Sequence, residues 1–342
     1  MRWSAATAVV LALATAAAMT TTASAKPYIP PGNKIFWGGQ GGYSQDSIRD
    51  FAMQSGKHPA VFNYFISWSA SESSLHWLSF RLADARAQKT AALLSISPEQ
   101  TKLSPRDIAQ GRGDDFLLGL NALLAEHGQP TFLRPLSEMN NGNNAYSPYD
   151  LMGRSRGPQN SVRQFIRAWR RIALIVRGGQ RIARLNRQLR HLGMPPVDTR
   201  LALLPRALVA MMWVPLSFGN PEIPKNHPRF FWPGNRWVDW VGTTWYSRYK
   251  ATSAMVRFYS YWLWRKKPFA FAEWGIWGRD DPAFVRQFFE FMRFHRRVRM
   301  AVYYQSALLK PEFALFNHPL ARAALRRALR WRRITGQAPA IF

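Results

Sequence analysis

Apolar positions along this chain follow two alternating rhythms. Short, nearly continuous apolar runs recur between longer stretches whose apolar residues return every third or fourth position. Continuous short runs suit strands buried on both faces, and the three-to-four spacing suits amphipathic helices. The runs predict strands over 34–37, 60–68, 91–96, 131–133, 207–214, 238–246, 268–275 and 300–304. Helices are predicted over 47–54, 74–88, 104–127, 161–177, 180–192, 253–265, 283–295 and 319–332. Ser104-Pro105 supplies a helix start, with Ser104 as N-cap and Pro105 at the first helical position. Gly178-Gly179 splits the long helical region that follows residue 161. Strand and helix alternate without a linker. The expected fold is therefore α/β, a single (β/α)8 barrel over residues 26–342.

The first 25 residues stand apart. Arg2 precedes an alanine-rich apolar run, and Ala23-Ser24-Ala25 forms a small-x-small site. This predicts a secretory signal peptide over 1–25 and a secreted or periplasmic, cell-envelope location. The run is too short for a membrane span, and no later stretch is long and apolar enough for one. A monomer is expected.

The chain has no cysteine, which excludes thiolate metal sites and a cysteine nucleophile. Its seven histidines are scattered without metal-ligand spacing, so no metal and no cofactor is expected. The formal net charge is +28, one unit lower without Arg2. Such a balance attracts polyanions: acidic glycans, an anionic cell envelope or nucleic acid. It equally describes a solvated, arginine-rich surface. Arg181, Arg184, Arg187 and Arg190 recur at helical spacing and predict a basic stripe on an outer helix.

Two stretches share one form. In 131–140, an apolar run leads through Arg134-Pro135-Leu136-Ser137 to Glu138, then Met139-Asn140 and a Gly/Asn-rich tract. In 268–275, the run Phe269-Ala270-Phe271-Ala272 delivers Glu273, then Trp274-Gly275. In a (β/α)8 barrel the chemistry sits at the C-terminal ends of the strands. Glutamates ending the fourth and seventh strands would face each other across that mouth. Retaining glycosidases use such a pair about 5–5.5 Å apart, one a protonated acid and one an ionised nucleophile. Trp68, Trp213, Trp245, Trp274, Trp277 and Tyr304 lie at or just beyond strand ends, where aromatic faces suit a sugar site as well as a core.

These motifs resemble glycoside hydrolase family 26, the β-mannanase family. Arg134-Pro135-Leu136-Ser137-Glu138-Met139-Asn140 looks like its R-P-x-H-E-M-N acid/base motif. The stretch 51–68 looks like its second-strand region, and Trp213-Val214-Pro215 is similar to its W-x-P. Pro233-Gly234-Asn235, Val238-Asp239-Trp240-Val241-Gly242 and Tyr246 look like its sixth-strand motif. Ala272-Glu273-Trp274-Gly275 looks like its nucleophile strand. The resemblance implies Glu138 as acid/base, Glu273 as nucleophile and Tyr246 as the nucleophile's hydrogen-bond partner. It implies a polysaccharide substrate, β-mannan first. Arg134, Ser137, Asn140, Tyr146, Trp68, Trp213, Tyr246, Trp274 and Tyr304 are the expected substrate-binding residues. Ser137 stands where the family usually has histidine, and Tyr146 lies in a loop where the family usually has tryptophan. The alternatives are the same chemistry on an anionic exopolysaccharide or envelope glycan, and a non-catalytic polysaccharide-binding barrel. Nucleic-acid binding rests on charge and aromatics alone, and the leader and barrel pattern argue against it.

Overall fold

The computed structural model describes residues 28–41, 47–68, 72–249, 251–305 and 310–339; the leader lies outside them. The elements run β1 (Ile35–Gln40), α1 (Ser47–Ser55), β2 (Val61–Ser67), α2 (Glu72–Ala87), β3 (Ala91–Ser97), α3 (Pro105–Ala109), α4 (Asp114–His127) and β4 (Thr131–Pro135). Next come α5 (Val162–Arg177), β5 (Gly178–Arg181), α6 (Ile182–His191), β6 (Leu203–Arg206), β7 (Val209–Trp213) and β8 (Trp240–Tyr246). The chain ends with α7 (Thr252–Trp262), β9 (Phe269–Gly275), α8 (Pro282–Phe294), β10 (Val298–Tyr304), α9 (Pro319–Ala328) and β11 (Ile334–Thr335).

Parallel strands in the order β1, β2, β3, β4, β7, β8, β9 and β10 close into a barrel through β10–β1 pairing. The chain is a single (β/α)8 barrel. β11 adds a short parallel pairing beside Ile35 and Phe36. Among the described residues, no helix is long and apolar enough to cross a membrane.

Strand alternation sorts the core into two layers. Phe36, Val61, Leu93, Phe132, Met212, Trp240, Ala270 and Met300 fill the barrel interior. Trp37, Phe62, Leu94, Leu133, Met211, Val241 and Phe271 point outward and pack with helix residues such as Phe51, Leu82, Leu120, Trp169 and Phe288. Burying each such side chain contributes about 1.5–3 kcal/mol before the ordering entropy is counted.

Two expectations change. The helix predicted over 104–127 is two helices, α3 and α4. Gly111 and Gly113 break it with φ of +90° and +86°. A Cβ there would lie 2.9 Å from an Arg171 nitrogen and 2.6 Å from the Trp68 indole nitrogen. The start holds as read: Ser104 caps Asp107, which reciprocates in a capping box. The second change is the antiparallel ribbon of β5 and β6, in register Gly178↔Arg206. β5, Gly178-Gly179-Gln180-Arg181, has no apolar run, and in β6 Pro205 and Arg206 cut short the run that ends at Leu204. The arginine stripe falls on α6 and its cap, with Arg181, Arg187 and Arg190 exposed.

Candidate active site

Inward-facing positions at the C-terminal strand ends turn from apolar to polar. On β4, Phe132 fills the interior, and Arg134, two residues on, points to the mouth at 2% exposure. The chain then leaves the strand sharply. Leu136 and Glu138 both adopt left-handed backbone, with φ of +48° and +52°. Such residues cost free energy and persist where surrounding contacts hold them. Here the contacts are many. The Glu138 N–H donates to the Val214 carbonyl at 2.7 Å. Asn144 Nδ2 donates to the carbonyls of Ser137 (3.3 Å) and Glu138 (2.9 Å). The Tyr146 hydroxyl donates to the Ser137 carbonyl at 2.6 Å. Glu138 therefore sits on a clamped turn just past β4, not on the strand itself.

Glu273 reaches the mouth by another device. Strict alternation on β9, with Phe269 and Phe271 outward, would turn Glu273 outward too. Thr243 pairs with Phe271, but the next residue, Thr244, pairs with Glu273. Ala272 is thus an extra residue, a β-bulge, and both Ala272 and Glu273 face inward. Bulges re-aim side chains in this way beside active sites. Arg134 Nη2 donates to Glu273 Oε2 at 2.7 Å, and the Tyr246 hydroxyl donates to Glu273 Oε1. Burial would lower the Arg134 pKa, but the charge and hydrogen bond of Glu273 outweigh it and keep the guanidinium charged.

The two carboxyls have unlike surroundings. Burial, then the nearby Glu273 charge, raises the Glu138 pKa against hydrogen bonds from Asn141 and Thr244. Asn141 Nδ2 lies 2.9 Å from Glu138 Oε2. Burial followed by the Glu273 charge also holds the Tyr246 phenol far above its ordinary value, so it remains a donor. One carboxyl is biased to keep its proton, and the other receives two donors, one of them cationic. This is the environment pattern that separates an acid from a nucleophile.

Tyr246 and Tyr304 lie at the mouth, with ring centroids 6.0 Å apart. Trp277, Phe313 and the 43%-exposed Phe65 extend this wall. Several other expectations fail on burial. Trp68 stacks on Phe116 and donates to the Gly113 carbonyl, at 1% exposure. Trp213 packs between Trp232 and Trp262 and donates to the Phe231 carbonyl. Trp274 stacks on Phe288 of α8 at 3.7 Å, because the bulge that turns Glu273 inward turns it outward. Trp245 packs among Phe271, Phe284 and Phe288 in the same outer layer. None of these four indoles offers a face to a sugar. Tyr146 is likewise buried and serves the turn through its hydroxyl. Asn140 is fully buried, with its side chain bonded to the backbone of Leu216 and Phe218. Its neighbour Asn141 is the residue that meets Glu138. Ser137 is half-buried beside Glu138, and its carbonyl takes the Tyr146 and Asn144 bonds.

Sequence reasoning missed Asn141, Thr244, Phe65 and Phe313, and a polar chain formed by Gln40, Asn63 and Ser95. Inward parity signals some of these: Asn63 follows Val61 by two, Ser95 follows Leu93, and Thr244 follows Gly242. Among the described residues, no group of three or more His, Cys, Asp or Glu side chains is placed to hold a metal ion.

The closed parallel barrel, with Glu138 and Glu273 at its mouth, is a fold that this chain shares with solved structures. Among solved structures, GH26A from Muricauda sp. MAR_2010_75 is similar at TM-score 0.59 and 15% identity, over 91% of this chain and 94% of that one. A GH26 β-mannanase from Bacteroides ovatus is similar at 0.59 and 15%, over 91% and 92%. The Bacillus subtilis mannanase BCman is similar at 0.55 and 16%, over 87% of each chain. At such identities the likeness is one of fold. No protein-family model matches the sequence, and no curated protein matches it.

Proposed function

We propose that this protein is a retaining glycoside hydrolase acting within β-linked polysaccharide chains, with β-mannan the first candidate substrate. The observation that carries the reading is that Glu138 and Glu273 stand at one barrel mouth with unlike partners, the Asn141 amide on the first and the Arg134 guanidinium and Tyr246 hydroxyl on the second. Glu138 donates its proton to the glycosidic oxygen as the Glu273 carboxylate attacks the anomeric carbon. The C–O bond breaks, the leaving chain departs as an alcohol, and a glycosyl ester forms on Glu273. Glu138, now a carboxylate, removes a proton from water, whose oxygen displaces Glu273 with net retention. Arg134 and Tyr246 orient the nucleophile and spread its charge. The fold neighbours named as mannanases support mannan as the substrate. The leader-like 1–25 supports export.

A second reading keeps this chemistry on an anionic exopolysaccharide or envelope glycan. The Arg248 guanidinium lies over the Trp277 ring at 5.2 Å beside the mouth and, among the described residues, meets no carboxylate. The net charge of +28 points the same way.

Purified protein incubated with β-mannans, β-glucans and acidic polysaccharides tests both readings. Release of reducing ends with a β-anomeric product on mannan supports the first. Release confined to acidic glycans supports the second. Retention on a glycan without any cleavage would leave a binding barrel and sink the enzyme.

A further inference from the structure

A chain of three polar side chains runs along the inner wall of the barrel toward the C-terminal ends of β1, β2 and β3. Ser95 on β3 and Asn63 on β2 are 3% and 2% exposed. The Ser95 hydroxyl donates to Asn63 Oδ1 at 2.7 Å. Asn63 Nδ2 donates to Oε1 of Gln40, on β1, at 3.2 Å. All three point inward, each two residues beyond an inward position at Leu93, Val61 or Gly38. The strand registers place the ends of the chain. Ser95 is opposite Arg134, and Gln40 is opposite Tyr304, whose ring meets that of Tyr246. The chain therefore spans from one supporter of Glu273 to the neighbour of the other.

Buried polar groups on such a wall are costly unless they are paired. Asn63 and Ser95 pair with each other, and the direction of donation is handed along the chain. The Ser95 proton is spent on Asn63 oxygen, so the Asn63 amide turns its N–H end to Gln40. Gln40 in turn receives it on oxygen. Among the described residues neither Gln40 amide N–H donor meets an acceptor, and the side chain is half-buried at the mouth. Beside them stand the Tyr304 ring and the exposed Phe65 ring, surfaces suited to the apolar face of a pyranose.

We infer that Gln40 is a specificity-determining residue, reading a hydroxyl oxygen of the sugar bound against Glu273 through its carboxamide N–H groups, and that Asn63 and Ser95 are positioning residues fixing that amide. The inference rests on the glycosidase reading. It assigns recognition of a neutral sugar ring to β1–β3, strands that carry neither carboxyl.

The test uses an aryl β-glycoside of the sugar that the wild type hydrolyses, with its four monodeoxy derivatives at C2, C3, C4 and C6. On the parent glycoside, Gln40→Ala is expected to lower kcat/KM by about 10²-fold, the scale of one lost donor at a reacting centre. On the one derivative lacking the hydroxyl that Gln40 reads, the same substitution should change kcat/KM by less than about threefold, since the two losses share one interaction. Gln40→Glu, which offers acceptors where the amide offers donors, should lose at least as much as Gln40→Ala. Ser95→Ala should lower kcat/KM in the wild-type background and add nothing to Gln40→Ala. If alanine leaves the chain unfolded, Gln40→Met keeps the side-chain length and gives the same comparison. The inference is overturned if Gln40→Ala keeps kcat/KM within about twofold of wild type, or if its loss multiplies with all four deoxy losses. It is overturned also if Gln40→Glu outperforms Gln40→Ala. A wild type that cleaves no β-glycoside sinks the glycosidase reading first, and this inference with it.

Discussion

Arg134 on β4 reaches across the barrel to Glu273 on β9, closing a 2.7 Å ion pair with the arginine 2% exposed. Tyr246 holds the other carboxylate oxygen. Arg134→Met would leave Glu273 with one neutral donor in a largely buried place. It is expected to cost about 3–5 kcal/mol of folding stability, the usual result of breaking a buried pair from one side. Tyr246→Phe should cost only about 1 kcal/mol, one neutral-donor bond. Urea denaturation of the two variants measures this. Equal losses would show that the arginine bond adds nothing beyond the tyrosine bond.

Under the proposed mechanism the two glutamates should fail differently. Glu273→Ala should lose nearly all activity on every leaving group, because no glycosyl ester can form. Glu138→Ala should keep part of its first step on an aryl glycoside whose leaving group needs no proton, and then stall. Azide, which needs no base, should restore turnover to Glu138→Ala with a β-glycosyl azide, and to Glu273→Ala with an α-glycosyl azide. Proton NMR of the azide products decides the assignment, and reversed anomers would exchange the two roles.

The raised Glu138 pKa has two readouts. Catalysis needs the protonated acid, so kcat/KM should fall on an alkaline limb set by Glu138, above the ordinary carboxyl value of 4.5. The sign for stability is the same. A carboxyl whose pKa is higher folded than unfolded contributes stability that is fully present below the unfolded value and lost as pH rises through the folded one. Glu138→Gln, which cannot ionise, should therefore gain stability relative to wild type as pH rises through that window. Thermal melts of both proteins from pH 4 to pH 8 check it. Parallel curves would show that Glu138 titrates alike in both states.

The φ of +52° at Glu138 separates two variants that lack the same carboxyl. Glu138→Gly can relax in the left-handed region, whereas Glu138→Ala keeps a Cβ in it. The glycine variant is expected to be about 1 kcal/mol more stable than the alanine variant, although glycine gives the unfolded chain more freedom. Chemical denaturation of the pair measures the difference, and a more stable alanine variant would remove backbone strain from the account of this turn.

The barrel was legible in the sequence because buried parallel strands announce themselves as apolar runs, and two of those runs, β4 and β9, led to Glu138 and Glu273. The aromatic assignments failed where a local count decided the outcome. Trp213 and Trp245 lie on outward parity, and nothing in their composition distinguishes a helix-facing indole from a sugar-facing one. Trp68 and Tyr146 lie outside regular elements, where no periodicity applies. Asn140 and Asn141 are adjacent and chemically identical, and only the clamped turn decides which one meets Glu138. In the β5–β6 ribbon β5 has no apolar run, and the short run 201–204 is cut by Pro205 and Arg206 before it reaches the length of a barrel strand. Gln40, Asn63 and Ser95 were missed because each is a single polar residue on its own strand, and only the side-by-side pairing of β1, β2 and β3 brings the three together.

The extra residue at Ala272 makes the site depend on odd and even. Up to Phe271 the strand follows one parity, and from Glu273 onward it follows the other. A substitution in β9 changes one side chain, but an insertion or deletion of a single residue there changes which half of the strand faces the mouth. The same letters, shifted by one, would present Trp274 where Glu273 now stands and bury the carboxylate among the helices. Related chains can therefore share nearly every residue of this strand and still differ in whether they have a nucleophile.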